Sequence, residues 1–240
     1  MATVFPRSPR LTKGALIQLT EGVLGPVPTI VPFQYNPDGF TRKLTPWEPP
    51  QPPDQPEGEA QSDPQVQPYD PEETIDLSLF FDATDDLEEP DRNPIAVAKG
   101  VAHRLAALER MLYPVQDDGG LLGSAVSLLG GRASGAVPRQ VVPVVLLSFG
   151  PGLIVPVRIV SYSVEETLWS PTLAPTRATV TLSLKVLTDR SFPEEGEGAQ
   201  TGIAAEIARA AYRFTRTQRD LLAATQAGDG LANVLSLLPF

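Results

Sequence analysis

Apolar and polar residues alternate with a period of two along much of this chain, and that spacing predicts β-strands. The clearest case is residues 73–82, where Ile75, Leu77, Leu79 and Phe81 fall on one side and Asp76, Ser78 and Asp82 on the other. Residues 177–187 repeat the pattern, with Ala178, Val180, Leu182, Leu184 and Val186 inward and Thr179, Thr181, Ser183 and Lys185 outward. Residues 153–168 read as one long β-branched strand. Residues 139–150, nearly all apolar, read as a buried one. Two further strands are expected at residues 14–21 and 29–36. The second stops at Asn36-Pro37-Asp38-Gly39, a strong turn signal.

A period near 3.6 takes over in two places. In residues 91–113, Val97, Val101, Leu105, Leu108 and Leu112 form one apolar stripe. Asn93 suits the cap and Pro94 the first helical position, and Gly100 weakens the helix or allows a close approach. A second helix is expected from Thr201, with Ile203, Ile207, Ala210, Phe214, Leu221 and Leu222 on its stripe. The last residues, "GLANVLSLLPF", are unusually apolar, so Leu235, Leu238 and Phe240 either pack on the chain's own domain or contact a neighbour. The order is strands, one helix, strands, then a helical tail, which predicts a mainly β (α+β) domain and not an alternating βαβ chain.

Composition sharpens this division. Residues 46–72 hold a Pro-rich acidic insertion, expected to be an extended surface loop because proline lacks an N–H and fixes φ. Residues 115–138 read as a Gly-rich loop. The expected layout is an N-terminal arm at 1–13, a β domain at 14–190 and a helical C-terminal extension at 191–240. The net charge of −10 is local: Leu44 to Asp91 holds fifteen of the 29 acids and not one Lys or Arg. The rest carries 14 acids against 19 bases. The acidity therefore says nothing about a basic ligand for the folded body. No apolar run approaches the length of a bilayer span, and the N-terminus lacks a secretory apolar core. The expected location is cytoplasmic, with no membrane insertion.

Candidate chemistry is sparse. There is no cysteine, which excludes disulfides and thiolate metal sites, and His103 is the one histidine. It shares a helix face with Lys99 and Arg110, away from the apolar stripe, where a solvated histidine is expected. The acidic cluster Asp82, Asp85 and Asp86 could hold a divalent cation or serve a hydrolase, but its spacing lacks a calcium-loop frame. Asp82 can equally bond backbone N–H groups where the strand turns, and that reading is favoured. No phosphate loop is present. The densest basic group, Arg7, Arg10, Lys13, Arg42 and Lys43, is too thin for a nucleic-acid footprint. No enzyme, cofactor or metal site is expected.

Four stretches taken in order resemble a known family. They are "FQYNPDGF" at 33–40, "LSLFFDATD" at 77–85, "VLLSFG" at 145–150, and the long hairpin "PVRIVSYSVEETLWSPTLAPTRATVTLSL", which enters its last strand at Arg177-Ala178. Together they resemble the N-terminal domain of contractile-injection-system tube-type proteins, the phage-tail-like hub or tube-adaptor components, over residues 14–189. Many members carry a LysM module after this domain, and none is seen here; the Pro-rich insertion is also particular to this chain.

The resemblance implies an antiparallel β-barrel or sandwich of the phage-tail tube type with one flanking helix, assembled into a homo-hexameric ring by a shared sheet. It implies a baseplate hub adaptor joining the inner tube to the spike, with inner tube protein, spike or hub protein and other baseplate subunits as partners. An inner-tube or tube-terminating ring is the alternative; a stand-alone binding module or a carboxylate-dependent hydrolase is more remote. Subunit contacts are expected at Asp82, Arg158, Arg177, Leu235, Leu238 and Phe240. The hydroxyl-rich side of Thr179, Thr181 and Ser183 would suit a wet lumen or an ordinary solvent face.

Overall fold

The alternation of residues 73–82 is realised almost unchanged. Strand β4, Glu72–Asp82, buries Ile75, Leu77, Leu79 and Phe81 and exposes Asp76, Ser78 and Phe80. The computed structural model describes residues 13–22, 25–47, 67–114, 142–192 and 202–237. Within them lie six further strands: β1, Ala15–Gly22; β2, Gly25–Pro32; β3, Phe40–Thr45; β5, Val144–Ser148; β6, Ile154–Trp169; and β7, Pro175–Val186. The helices are α1, Thr84–Glu88; α2, Pro94–Lys99; α3, Ala102–Glu109; and α4, Ile203–Leu237. The Gly-rich loop at 115–138, most of the Pro-rich insertion and nearly all of the N-terminal arm lie outside the described residues, as do Leu238 and Phe240.

All seven strands join one antiparallel sheet in the order β2-β1-β5-β6-β7-β4-β3. The fold is therefore mainly β, of the α+β class. The sheet is open: among the described residues no ladder joins its end strands, β2 and β3, so the expected closed barrel does not form. The residues of β2 supply a reason. Pro26, Pro28 and Pro32 stand at alternate positions of a strand whose every residue is in register with β1. A proline nitrogen cannot face a partner strand, so all three turn to the free edge and strip it of donors. Of the alternate positions on that edge, Ile30 alone keeps an N–H.

The open sheet still curls around one core. Leu16 of β1, Val31 of β2, Ile75 and Phe81 of β4, Leu147 of β5, Val155 of β6 and Leu182 of β7 belong to a single buried cluster. Val101, Leu105, Leu108 and Met111 fill its hollow from the α3 segment. Each fully buried Leu or Phe contributes about 1.5–3 kcal/mol, so this cluster dominates the fold's stability. The opposite face of β1 and β5 is covered by α4, through Leu19, Leu146, Ala204 and Ala211. Covering on both faces explains why β5 is almost wholly apolar instead of alternating.

The single helix expected at 91–113 is broken into α2 and α3 at Gly100. Gly100 has φ +55°, and a Cβ there would lie 1.9 Å from the carbonyl oxygen of Pro175. The next amide, Val101, donates to that same oxygen at 2.8 Å. The break rotates the stripe: Ala96 and Met111 are buried in place of Val97, which is 45% exposed, and Leu112.

The second expected strand also shifts, to Gly25–Pro32, because β2 follows its register with β1. Strand β3 and helix α1 were not anticipated from the pattern. β3 is an edge strand with every residue from Thr41 to Thr45 exposed, so nothing forces it to alternate.

Candidate functional site

The acidic cluster sits where β4 ends and α1 begins. Asp82 stands opposite Arg177 of β7 and faces away from the core, like Ser78 and Phe80. Its Oδ2 accepts from Arg177 Nε at 3.0 Å and Nη2 at 2.7 Å. Its Oδ1 accepts from the Thr84 amide at 2.8 Å and the Thr84 hydroxyl at 2.5 Å. The carboxylate thus caps the turn into α1 while pairing across the sheet. Burial pushes the Asp82 carboxyl up, but the donors of Thr84 and Arg177 outweigh burial and hold it below its ordinary value. A carboxylate held ionised in this way is a poor proton donor.

The main chain of Asp82 is held too. Gln34, just beyond β2, accepts from the Asp82 amide at 3.0 Å and donates to its carbonyl at 2.6 Å. Gln34 Oε1 also accepts from Arg104 of α3, whose second nitrogen reaches Asp86 Oδ2 at 2.9 Å. Asn93 bonds the Asp86 carbonyl at 3.1 Å. Asp85 is exposed in the first turn of α1. The three acids therefore point into different bonds: one to Arg177, one to Arg104, one to solvent. Among the described residues, no group of three His, Cys, Asp or Glu side chains is placed to hold a metal ion. His103 is exposed, with Nδ1 3.0 Å from the Gly100 carbonyl.

A second charged cluster holds α4 against the mouth of the curled sheet. Glu73 lies on the core side of β4 and is 4% exposed. It takes Arg42 of β3 at 2.8 Å and a two-point contact from Arg219 of α4 at 2.8 and 2.9 Å. Asp70 pairs with Arg216 and accepts from the Tyr212 hydroxyl at 2.8 Å. Burial, with the hydrogen bond to Asp70, pushes the Tyr212 phenol up to about 12. Asp189 takes Arg213, and Arg209 donates to the Phe192 carbonyl. Along α4, Arg209, Arg213, Arg216 and Arg219 thus form a row that grips the body. This cluster escaped the sequence reading. One signal was visible: Glu73 falls in phase with Ile75 and Leu77, so a carboxylate was due on the core side.

No protein-family model matches this chain, and no curated protein matches it.

The remaining predicted contact residues are dispersed. Arg177, besides holding Asp82, lies 5.7 Å from the Phe80 ring, which lies 6.0 Å from the Tyr35 ring. Arg158 is exposed on β6 opposite Lys185. Leu235 lies in the last turns of α4. The structure brings Asp82 and Arg177 together and places Arg158 and Leu235 elsewhere. Thr179, Thr181 and Ser183 do face away from the core, beside Ser163 and Ser78. No described helix is long and apolar enough to cross a membrane.

Proposed function

We propose that this chain is a structural assembly protein of the phage-tail type. In this reading it is an adaptor in the baseplate of a contractile injection particle, joining the inner tube to the spike, and it works as a homo-hexameric ring. The coarse architecture shares with the fold that the resemblance implies an antiparallel sheet with flanking helices, though the sheet is open and not a closed barrel.

The observation that carries the reading is the free edge of β3. Among the described residues, Phe40–Thr45 pairs with β4 on one side only, and Thr41 to Thr45 are exposed. An open edge of this kind accepts a further strand through main-chain hydrogen bonds. The β2 edge is different, because its prolines leave carbonyl acceptors and one N–H. Added strands would therefore join at β3, and a contact at β2 would be half a ladder. Two of the three acids that first suggested chemistry, Asp82 and Asp86, are engaged in ion pairs, which favours a structural role. A tube-terminating ring is the second reading, favoured by the same proline-lined edge, which would stop a sheet from growing.

Electron microscopy of the purified chain, alone and mixed with the inner tube protein of such a particle, tests this. Rings, or rings capping tube ends, are expected. A chain that stays monomeric in the presence of tube protein would overturn the adaptor.

A further inference from the structure

The register of β3 with β4 sorts the side chains along the open edge. Phe40, Arg42 and Leu44 stand opposite Leu77, Ile75 and Glu73, which are buried, so they lie on the core side. Thr41, Lys43 and Thr45 stand opposite Asp76, Thr74 and Glu72, on the outer side. On the core side Glu73 engages Arg42. Phe40 is half-buried and stacks on Phe149, with ring centroids 4.9 Å apart, while Leu44 is 48% exposed. On the outer side Lys43 is exposed and is the one charged residue of the strand. The nearest acids there, Asp76 and Glu72, lie one strand inward, and Glu72 accepts from Lys185 at 2.8 Å.

These charges decide what the edge can receive. Two copies of β3 laid antiparallel meet in one of three centred registers. They set Arg42 opposite Arg42, Arg42 opposite Lys43, or Lys43 opposite Lys43. Like charges directly opposite oppose pairing, and a lysine on an edge strand guards against self-association. The β2 edge of a second copy offers only half a ladder, because of Pro26, Pro28 and Pro32. Charge therefore turns away a second β3, and proline turns away a second β2.

We infer that the β3 edge receives a strand of a different protein, with an acidic side chain opposite Lys43 and apolar ones opposite Phe40 and Leu44. The inference rests on the assembly reading above and names the chemistry of the partner at that edge. Main-chain hydrogen bonds supply the pairing. The acid beside Lys43 fixes the register, and the apolar pair covers Leu44 and the open side of Phe40. In the incoming strand the acid adjoins one apolar residue and stands three positions from the other.

Labelled peptides and the full-length chain test this. One peptide is centred on Val-Asp-Thr-Thr-Val and a second on the reverse order, to allow for either strand direction. A matched pair carries Lys in place of Asp. Affinity is read by fluorescence anisotropy. Location is read by NMR amide exchange, at the alternate β3 amides that do not pair with β4. The Asp peptide that fits should bind about five-fold tighter than its Lys match. The gap should narrow in high salt and reverse in Lys43→Glu. Equal binding, or an unchanged order in Lys43→Glu, overturns the acidic partner; if rings still form, the assembly reading stands. Protection that rises with protein concentration in the absence of peptide would put a second copy on the edge, and overturns it too. If neither the peptides nor the inner tube protein protect those amides, the edge takes no strand, and the observation that carries the assembly reading falls with it.

Discussion

The side-chain amide of Gln34 bonds both main-chain groups of Asp82, as a residue of a neighbouring strand would. Gln34 follows β2, at one end of the sheet order, and Asp82 closes β4, near the other. One amide therefore ties together two ends that no ladder joins. Replacing Gln34 with Ala leaves the Asp82 amide and Arg104 without this acceptor. Such a loss costs about 1–3 kcal/mol. The urea midpoint of Gln34→Ala should fall accordingly, and a midpoint equal to wild type would show that the tie is idle.

Asp82→Asn tests the same corner through its charge. The pair with Arg177 is partly exposed, so a cost of about 1 kcal/mol is expected, with no change in any assembly contact made elsewhere. The pH dependence has a definite sign. The folded-state pKa lies below the ordinary carboxylate value, so the unfolded chain binds the proton more readily. The stabilisation is fully present above the unfolded pKa and is lost as pH falls through the folded one. Asp70 acts in the same direction. Stability measured from pH 7 to pH 2 should show the wild-type advantage over Asp82→Asn shrinking below about pH 4. An advantage that grows in acid would contradict the assignment.

Gly100→Ala meets the Pro175 carbonyl at a distance no Cβ can adopt, on a backbone with positive φ. The α2–α3 junction or the start of β7 must move. A loss of about 2–4 kcal/mol is expected, read as a lowered Tm. Gly39→Ala, where a Cβ would meet nothing within 4 Å, is the matched control and should change little.

Glu73→Ala leaves Arg42 and Arg219 facing a vacated, buried position. Removing one partner of a buried charged contact costs several kcal/mol, here reduced to about 2–3 because both guanidinium groups are partly exposed. Hydrogen exchange should rise first in the α4 turns around Arg219. Unchanged protection there would mean that the helix is held without this contact.

The parts of the fold set by a local period were legible. The core phases of β4 and β7, the buried character of β5 and the start of α2 at Pro94 follow from neighbouring residues alone, although the Asn93 side chain donates to the Asp86 and Glu89 carbonyls instead of capping the helix. What escaped depends on contacts between distant residues. β3 carries no alternation because an edge strand buries neither face. The break at Gly100 is dictated by the Pro175 carbonyl, which no helical pattern can announce. Gln34 and Asp82 meet only because the sheet curls. For the acidic cluster, the phase of Asp82 pointed outward correctly, and its favoured role, bonding a backbone N–H at a strand end, matches the Thr84 amide contact. Its partner Arg177 was singled out too, but as a separate contact.

The prolines of β2 give the sheet a direction of growth. Strand addition has a live end at β3 and a nearly dead one at β2, so a stack of such sheets cannot propagate as a fibre by repeating one contact. In the proposed ring, one subunit's β3 would therefore not be completed by its neighbour's proline-lined β2, and closure would rest on other surfaces.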